Sequence, residues 1–422
     1  MIPKFANLLL TLAVFFLPWQ TQWIFGGATI AGEPSAYGVF GLYVVEAMIV
    51  AAFVLRGRPR CAPEIRPARQ VLYLFLAVAF FSLELSAFSS VGRFFLLHVV
   101  SAAAFFVLLI DERTALKPLV TAFLAGLAIP VAIGWLQVMT GGSPDSTVLG
   151  MAAKDAQIAG VSVVETGAGR MLRAYGTFPH PNIFGGYVAV GVLMLAWLAR
   201  FVRSRRGILL SLLAAALLAS TLVITFSRSA WLAIVLALLA MVFLMRRERR
   251  LPPKRVIPMI ILGSISLLAT IAVFHTQVFA RFNPSLRLEA ISINERQTQY
   301  QTFSSVFLSA PILGVGPGAY TFALASRDPG QPVWSYQPIH SVFLLILSEL
   351  GVIGFAFLAF WIWQMGKLLW MNVRVPDGML AVSLGIVLLV IALLDHYFWS
   401  VWPGLALSAL SLGVMVRLAR TG

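Results

Sequence analysis

The sequence predicts an all-α polytopic membrane protein with about twelve transmembrane helices. Three observations predict it: 60% of the 422 residues are hydrophobic and 11% charged, mean hydropathy is +0.90, and apolar runs recur along the whole chain. Each run is near the ~20 residues that cross a bilayer. A soluble domain carries about 25% charged residues, and its core cannot hide so many runs. The chain therefore reads as one transmembrane domain over 1–422.

The runs lie at roughly 6–25, 37–55, 70–90, 94–110, 118–140, 182–200, 208–226, 229–245, 256–276, 340–364, 379–396 and 402–418. The first follows Met1-Ile2-Pro3-Lys4 and resembles a signal peptide, but no small-residue cleavage site follows, so it reads as an uncleaved first helix. Runs seven and eight are separated only by Phe226-Ser227-Arg228-Ser229. One helix over 208–245 would be nearly twice a bilayer long, so a tight turn at the surface is expected.

Orientation follows from the basic residues. Of the 31 Lys and Arg, 22 fall in one set of loops, around Arg56–Arg69, Arg200–Arg206 and Arg246–Arg255 among others, which alternates strictly with the set holding the remaining nine. Basic loops stay on the cytoplasmic side, which places both termini in the cytoplasm. The net charge of +15 then records topology and contact with anionic membrane lipids, not nucleic acid. Two long loops, 141–181 and 277–339, fall on the outer side, the second between runs nine and ten. Within it Leu286, Ala290, Ile293, Tyr300, Phe303 and Phe307 recur at a loose helical spacing, which predicts short helices there, against the membrane face. The single Cys61 excludes a disulfide framework and a cysteine metal cluster.

Every residue with reactive chemistry gathers at that outer face. Arg228, between two apolar runs, suits bidentate phosphate binding, or equally an anchor reaching for headgroups. His340 opens run ten and can take a proton from a hydroxyl, or hold a structural hydrogen bond. Arg281, Arg287 and Arg296 share the large loop, and on a helix Arg287 and Arg296 would face nearly opposite ways, one toward a site and one toward water. Glu289 and Glu295 stand close enough to pair with them. In His180-Pro181-Asn182, Asn182 is placed to cap the next helix. Gly314-Val315-Gly316-Pro317-Gly318 lacks the Lys-Ser/Thr ending of a nucleotide loop and reads as a turn. Asp395-His396 reads as a helix-end pair, and Glu349, inside run ten, needs a buried partner such as an arginine. Glu46, Glu84 and His98 are further intramembrane polar groups. No Asp-x-Asp, zinc-spaced His/Cys set or Gly-x-Ser-x-Gly elbow occurs in an outer loop, so neither metal nor cofactor is expected.

These stretches resemble the O-antigen ligase and polymerase superfamily of bacterial membrane glycosyltransferases. The resemblance rests on Thr225-Phe226-Ser227-Arg228-Ser229, on the Phe178-to-Tyr187 His-Pro-Asn segment, on Glu295-Arg296 leading to Ser309–Gly318, and on His340 followed by Leu347–Gly354. It implies transfer of a glycan from undecaprenyl diphosphate, outside the bacterial inner membrane in the periplasm, to an acceptor hydroxyl. The acceptor is the lipid A–core for a ligase and another lipid-linked repeat for a polymerase. By motif, Arg228 and Arg296 would bind the diphosphate and His340 would be the general base. Arg287 joins by proximity, with His180, Asn182, Ser341 and Glu349 as supporting residues. Ser341 stands where the family often has asparagine after the histidine. A flippase of lipid-linked sugars is the reading from another class; repeated halves and midplane charges would mark it.

Overall fold

In lipid every backbone N–H and C=O must be satisfied within the chain, so apolar runs become helices. The computed structural model describes residues 2–420. The chain opens with α1 (Ile2–Phe16), a hairpin of β1 (Gln22–Ile30) and β2 (Glu33–Tyr43), and α2 (Val44–Arg56). Next come α3 (Arg66–Glu84), α4 (Ser89–Ile110), and α5 (Leu116–Gly126) continued by α6 (Ala128–Thr140). The first long loop carries β3 (Gly142–Ser143), β4 (Lys154–Asp155), β5 (Val163–Thr166) and β6 (Gly169–Leu172). It leads to α7 (Pro181–Ala199), α8 (Arg205–Ile224), α9 (Arg228–Arg247) and α10 (Ile257–Val273). The second loop holds α11 (His275–Ala280), α12 (Arg287–Phe307) and α13 (Tyr320–Arg327). The chain closes with α14 (Val342–Asn372), α15 (Pro376–Leu394), α16 (Tyr397–Ser400) and α17 (Trp402–Arg420).

Nine helices among the described residues are long and apolar enough to cross a membrane, which makes this a multi-pass membrane protein. α10 and Lys4–Phe16 of α1 are apolar but shorter. The twelve apolar runs all contain helix, yet the first two are cut short. Hydropathy merges Trp23, Ile24 and Phe25 with the preceding run, and Val39 and Phe40 with the next, whereas the structure pairs them across β1 and β2. Ala31 and Gly32, with φ of +52° and +85°, make the two-residue turn that such a hairpin favours. The expectation of an all-α protein is corrected accordingly: the chain is mostly helical, with three two-stranded antiparallel sheets in its loops among the described residues.

α7 and α17 bury 78% and 83% of their apolar windows and form the centre, whereas α3 and α9 bury 33% each and face outward. Inside the bundle, Glu46 of α2 meets His98 of α4 at 2.7 Å, so neither is left unpaired in the apolar interior. At the opposite end from the long loops, Asp111 binds Arg113 at 2.6 Å and lies 3.6 Å from Arg56.

α14 is interrupted at Gly351, whose φ of +64° lies in the region that only glycine adopts readily. A Cβ there would lie 2.2 Å from the Ile312 carbonyl oxygen. The loop 311–316 packs backbone to backbone against this kink. Val315 and Gly316 N–H groups donate to the carbonyls of Ser348 and Glu349 at 3.0 Å each, and Val352 N–H donates to Pro311 at 2.8 Å. The kink therefore costs few backbone hydrogen bonds, and it fixes the large loop to the helix that begins just after His340. The glycine-rich 314–318 segment is the expected turn, with Gly314 at φ +77° and Gly318 at φ +70°.

Candidate active site

The turn between α8 and α9 builds the first half of the site. Phe226 is fully buried at φ +49°, a strained conformation for a residue with a side chain. Its carbonyl accepts Arg281 Nε at 3.2 Å, and Ser227 caps α9 through Ala230 N–H. This turn presents Arg228 at the first position of α9. Arg228 Nη1 lies 2.8 Å from Glu289 Oε2 and donates to the Arg281 carbonyl at 3.0 Å. Arg281 holds the other oxygen of Glu289. Behind them Arg173 donates from Nε to the Thr225 carbonyl at 2.9 Å and from Nη2 to Asn182 Oδ1 at 2.7 Å. Burial lowers the pKa of Arg281, and burial together with the Arg281 charge lowers that of Arg173. The buried Nε of Arg296 finds no acceptor in the protein.

The second half surrounds His340. Gln299 of α12 places Oε1 2.7 Å from His340 Nδ1 and 3.3 Å from its backbone nitrogen. An amide oxygen only accepts, so Nδ1 carries the proton and Nε2 keeps its lone pair. The His396 ring stands edge-on to His340 with centroids 5.1 Å apart, and Tyr37 of the hairpin stands edge-on to His396 at 5.9 Å. Asp395 accepts from His396 N–H at 2.9 Å and from Asn182 Nδ2 at 2.7 Å. Arg173, Asn182 and Asp395 thus form a hydrogen-bonded chain joining the arginine half to the histidine half.

The electrostatics keep the imidazoles neutral. Burial, then His396 and Arg296, push His340 down to about 3 against the opposing pull of Asp395. Burial and Arg173 push His180 down to about 3, and burial lowers His396. Burial alone would raise Asp395, but the three histidines and Asn182 lower it, so its carboxylate stays ionised. His340, Asp395 and His396 offer ligand atoms within 4.8 Å of one another, close enough to share a cation. The sequence shows no such set because His340 and His396 are 56 positions apart. The same spacing serves a base and the counter-charge for its protonated form.

These shifts carry a stability consequence. The folded histidines lie below their usual value of 6.5, so the unfolded chain binds more protons as pH falls. Their contribution is complete above about pH 6.5 and is lost toward pH 3; the lowered Asp395 acts in the same direction below its ordinary 3.8. The melting temperature of the solubilised protein should hold above neutrality and fall between pH 6.5 and 3, and His180→Gln should flatten part of that fall. A melting temperature constant across the window would contradict the buried neutral state.

The structure places the expected residues unevenly. Arg228 and His340 face the two joined halves, and the charge of Arg296 acts on both His340 and His396. Arg287 binds Glu165 of β5 at 2.6 Å with its side chain 64% exposed, sharing that carboxylate with Arg170 and not with Glu289. His180, not Asn182, caps α7, accepting Asn182 N–H at 3.1 Å; this frees the Asn182 amide to bridge Arg173 and Asp395. Ser341 is buried and makes no capping bond. Glu349 has no arginine. It accepts from Gly318 N–H at 2.7 Å, Tyr320 N–H at 3.2 Å and Trp399 Nε1 at 2.7 Å, because three donors already converge on that kinked turn. It anchors α16 beside His396. The expected pairing of Glu289 with a loop arginine holds, with Arg281 as its partner, whereas sequence reasoning missed the site roles of Arg173, Gln299, Asp395 and His396. A buried charge at a loop end was the only available signal, and Asp395-His396 alone showed it.

No curated protein matches this chain. Residues 213–359 match the family model described as O-antigen ligase, a stretch that contains Arg228, Arg281, Glu289, Arg296, Gln299, His340 and Glu349. Arg173, Asn182, Asp395 and His396 lie outside the matched stretch. The match over residues 213–359 supports the O-antigen ligase and polymerase superfamily that the motifs resemble and a membrane glycosyltransferase-like function.

Proposed function

We propose that this protein is an O-antigen ligase that transfers a glycan from undecaprenyl diphosphate to a hydroxyl of the lipid A–core, at the periplasmic face of the bacterial inner membrane. The observation that carries the reading is the junction of two halves. Arginines suited to a diphosphate are tied through Arg173, Asn182 and Asp395 to a neutral imidazole with a free Nε2. His340 Nε2 takes the proton of the acceptor hydroxyl as its oxygen attacks the anomeric carbon. The bond from that carbon to the diphosphate oxygen breaks, and its electron pair leaves with the phosphate. Attack opposite the leaving group inverts the anomeric configuration. Fixed guanidiniums of Arg228, Arg281 and Arg296 stabilise the charge that develops on the diphosphate, and Asp395 offsets the imidazolium. A base held near 3 is weak, but the arriving diphosphate brings negative charge that raises it toward the working pH.

The alternation of Lys- and Arg-rich loops along the apolar runs supports cytoplasmic termini and a periplasmic position for these loops. The test uses purified protein with lipid-diphosphate-linked repeats, with and without lipid A–core, in the presence of a chelator. Glycan on the lipid A–core in chelator is the expected result. Elongation of repeats without lipid A–core means a polymerase. Flux of the lipid-linked sugar across liposomes with no glycosidic bond formed means a flippase and overturns the proposal.

A further inference from the structure

The arginine half contains a negative group that phosphate binding does not require. Glu289 lies in the first turn of α12 and is 4% exposed. A first-turn acid commonly serves its own helix, but Glu289 makes no capping bond. Its Oε1 accepts from Arg281 and its Oε2 lies in ion-pair contact with Arg228 at 2.8 Å, both on segments outside α12. It therefore competes for the guanidinium N–H groups that a phosphate would use. The guanidiniums of Arg173, Arg228 and Arg281 interact with one another and with the Glu289 carboxylate, and the charge of Arg296 reaches Arg281, so the positive groups outnumber the carboxylate.

On the transfer reaction proposed above, donor and product differ in charge. The donor diphosphate is esterified at both ends and carries one negative charge on each phosphate. The departing lipid diphosphate has a free terminal phosphate that ionises again near pKa 6, so it leaves with close to three. A fixed carboxylate repels a bound anion in proportion to the anion's charge, and so penalises the product more than the donor. We propose that Glu289 is a specificity-determining residue that favours the doubly esterified donor over the free lipid diphosphate and thereby speeds product release.

The test compares wild type, Glu289→Gln and Glu289→Asp for binding two probes with the same short prenyl chain: a prenyl diphosphate, and the same diphosphate capped by one sugar. Glu289→Gln should bind the uncapped probe about tenfold tighter and the capped probe only about fivefold tighter, since repulsion scales with charge. Glu289→Asp, which keeps the charge, should retain most of the wild-type preference. During turnover the uncapped probe should inhibit Glu289→Gln at a correspondingly lower concentration. Equal tightening of both probes, or weaker binding of both, would overturn the assignment; the second result would mean that Glu289 only holds the arginines in place. Wild type that binds neither probe would instead sink the lipid-diphosphate reaction itself, and this assignment with it.

Discussion

His340→Ala should lower glycan transfer by about 10²–10⁴-fold, the range for losing a general base, while the protein remains folded in membranes. The ring makes one side-chain hydrogen bond, to Gln299, and its main-chain bond to the same oxygen survives the substitution. The kink at Gly351 and its loop, which fix α14, are untouched. Transfer rates in a reconstituted assay decide the matter, and near-normal transfer by His340→Ala would remove the general-base role. The pH profile adds a second readout. With His340 held near 3 in the free protein, acidification to pH 5 should not depress kcat/KM through this residue, as it would for an ordinary imidazole at 6.5. In the donor complex the diphosphate opposes Arg296 and burial, so the acid limb of kcat should lie at higher pH than that of kcat/KM.

Arg228→Ala should cost about 10²–10³-fold in kcat, the typical loss when one preorganised donor to a developing anion is removed. Arg228→Lys should recover only part of it, because an ammonium keeps the charge but not the planar fork. Folding should be preserved, since Arg281 still neutralises Glu289. Single-turnover transfer with the lipid-linked donor separates this loss from weakened donor binding. An unchanged kcat with a raised KM would make Arg228 a binding residue alone.

Much of the architecture was legible in the residues. The turn at Phe226–Ser229, the helix within 277–339 and the opposite directions of Arg287 and Arg296 follow from run length and from the 3.6-residue period. The hairpin 22–43 was not legible, because Trp, Ile, Phe and Val score as membrane residues whether they lie in a strand or a helix. Glu349 showed that it needed partners but not which. Its donors are two loop N–H groups and Trp399, and backbone donors have no sequence signature.

The sequence by itself determined the membrane class, the apolar runs and the residue types available for phosphate and proton chemistry. Those properties are sums over contiguous residues, each set by local hydropathy or side-chain chemistry. The tertiary structure alone decided which charges meet: Asn182 with Asp395, 213 positions apart, and Arg281 with the Phe226 carbonyl, 55 apart. It also decided that Glu289 sits among the arginines and that Asp395 and His396 complete the surroundings of His340. Such meetings depend on how the helices pack and where their ends fall, and a charge falls off with distance through space, not along the chain.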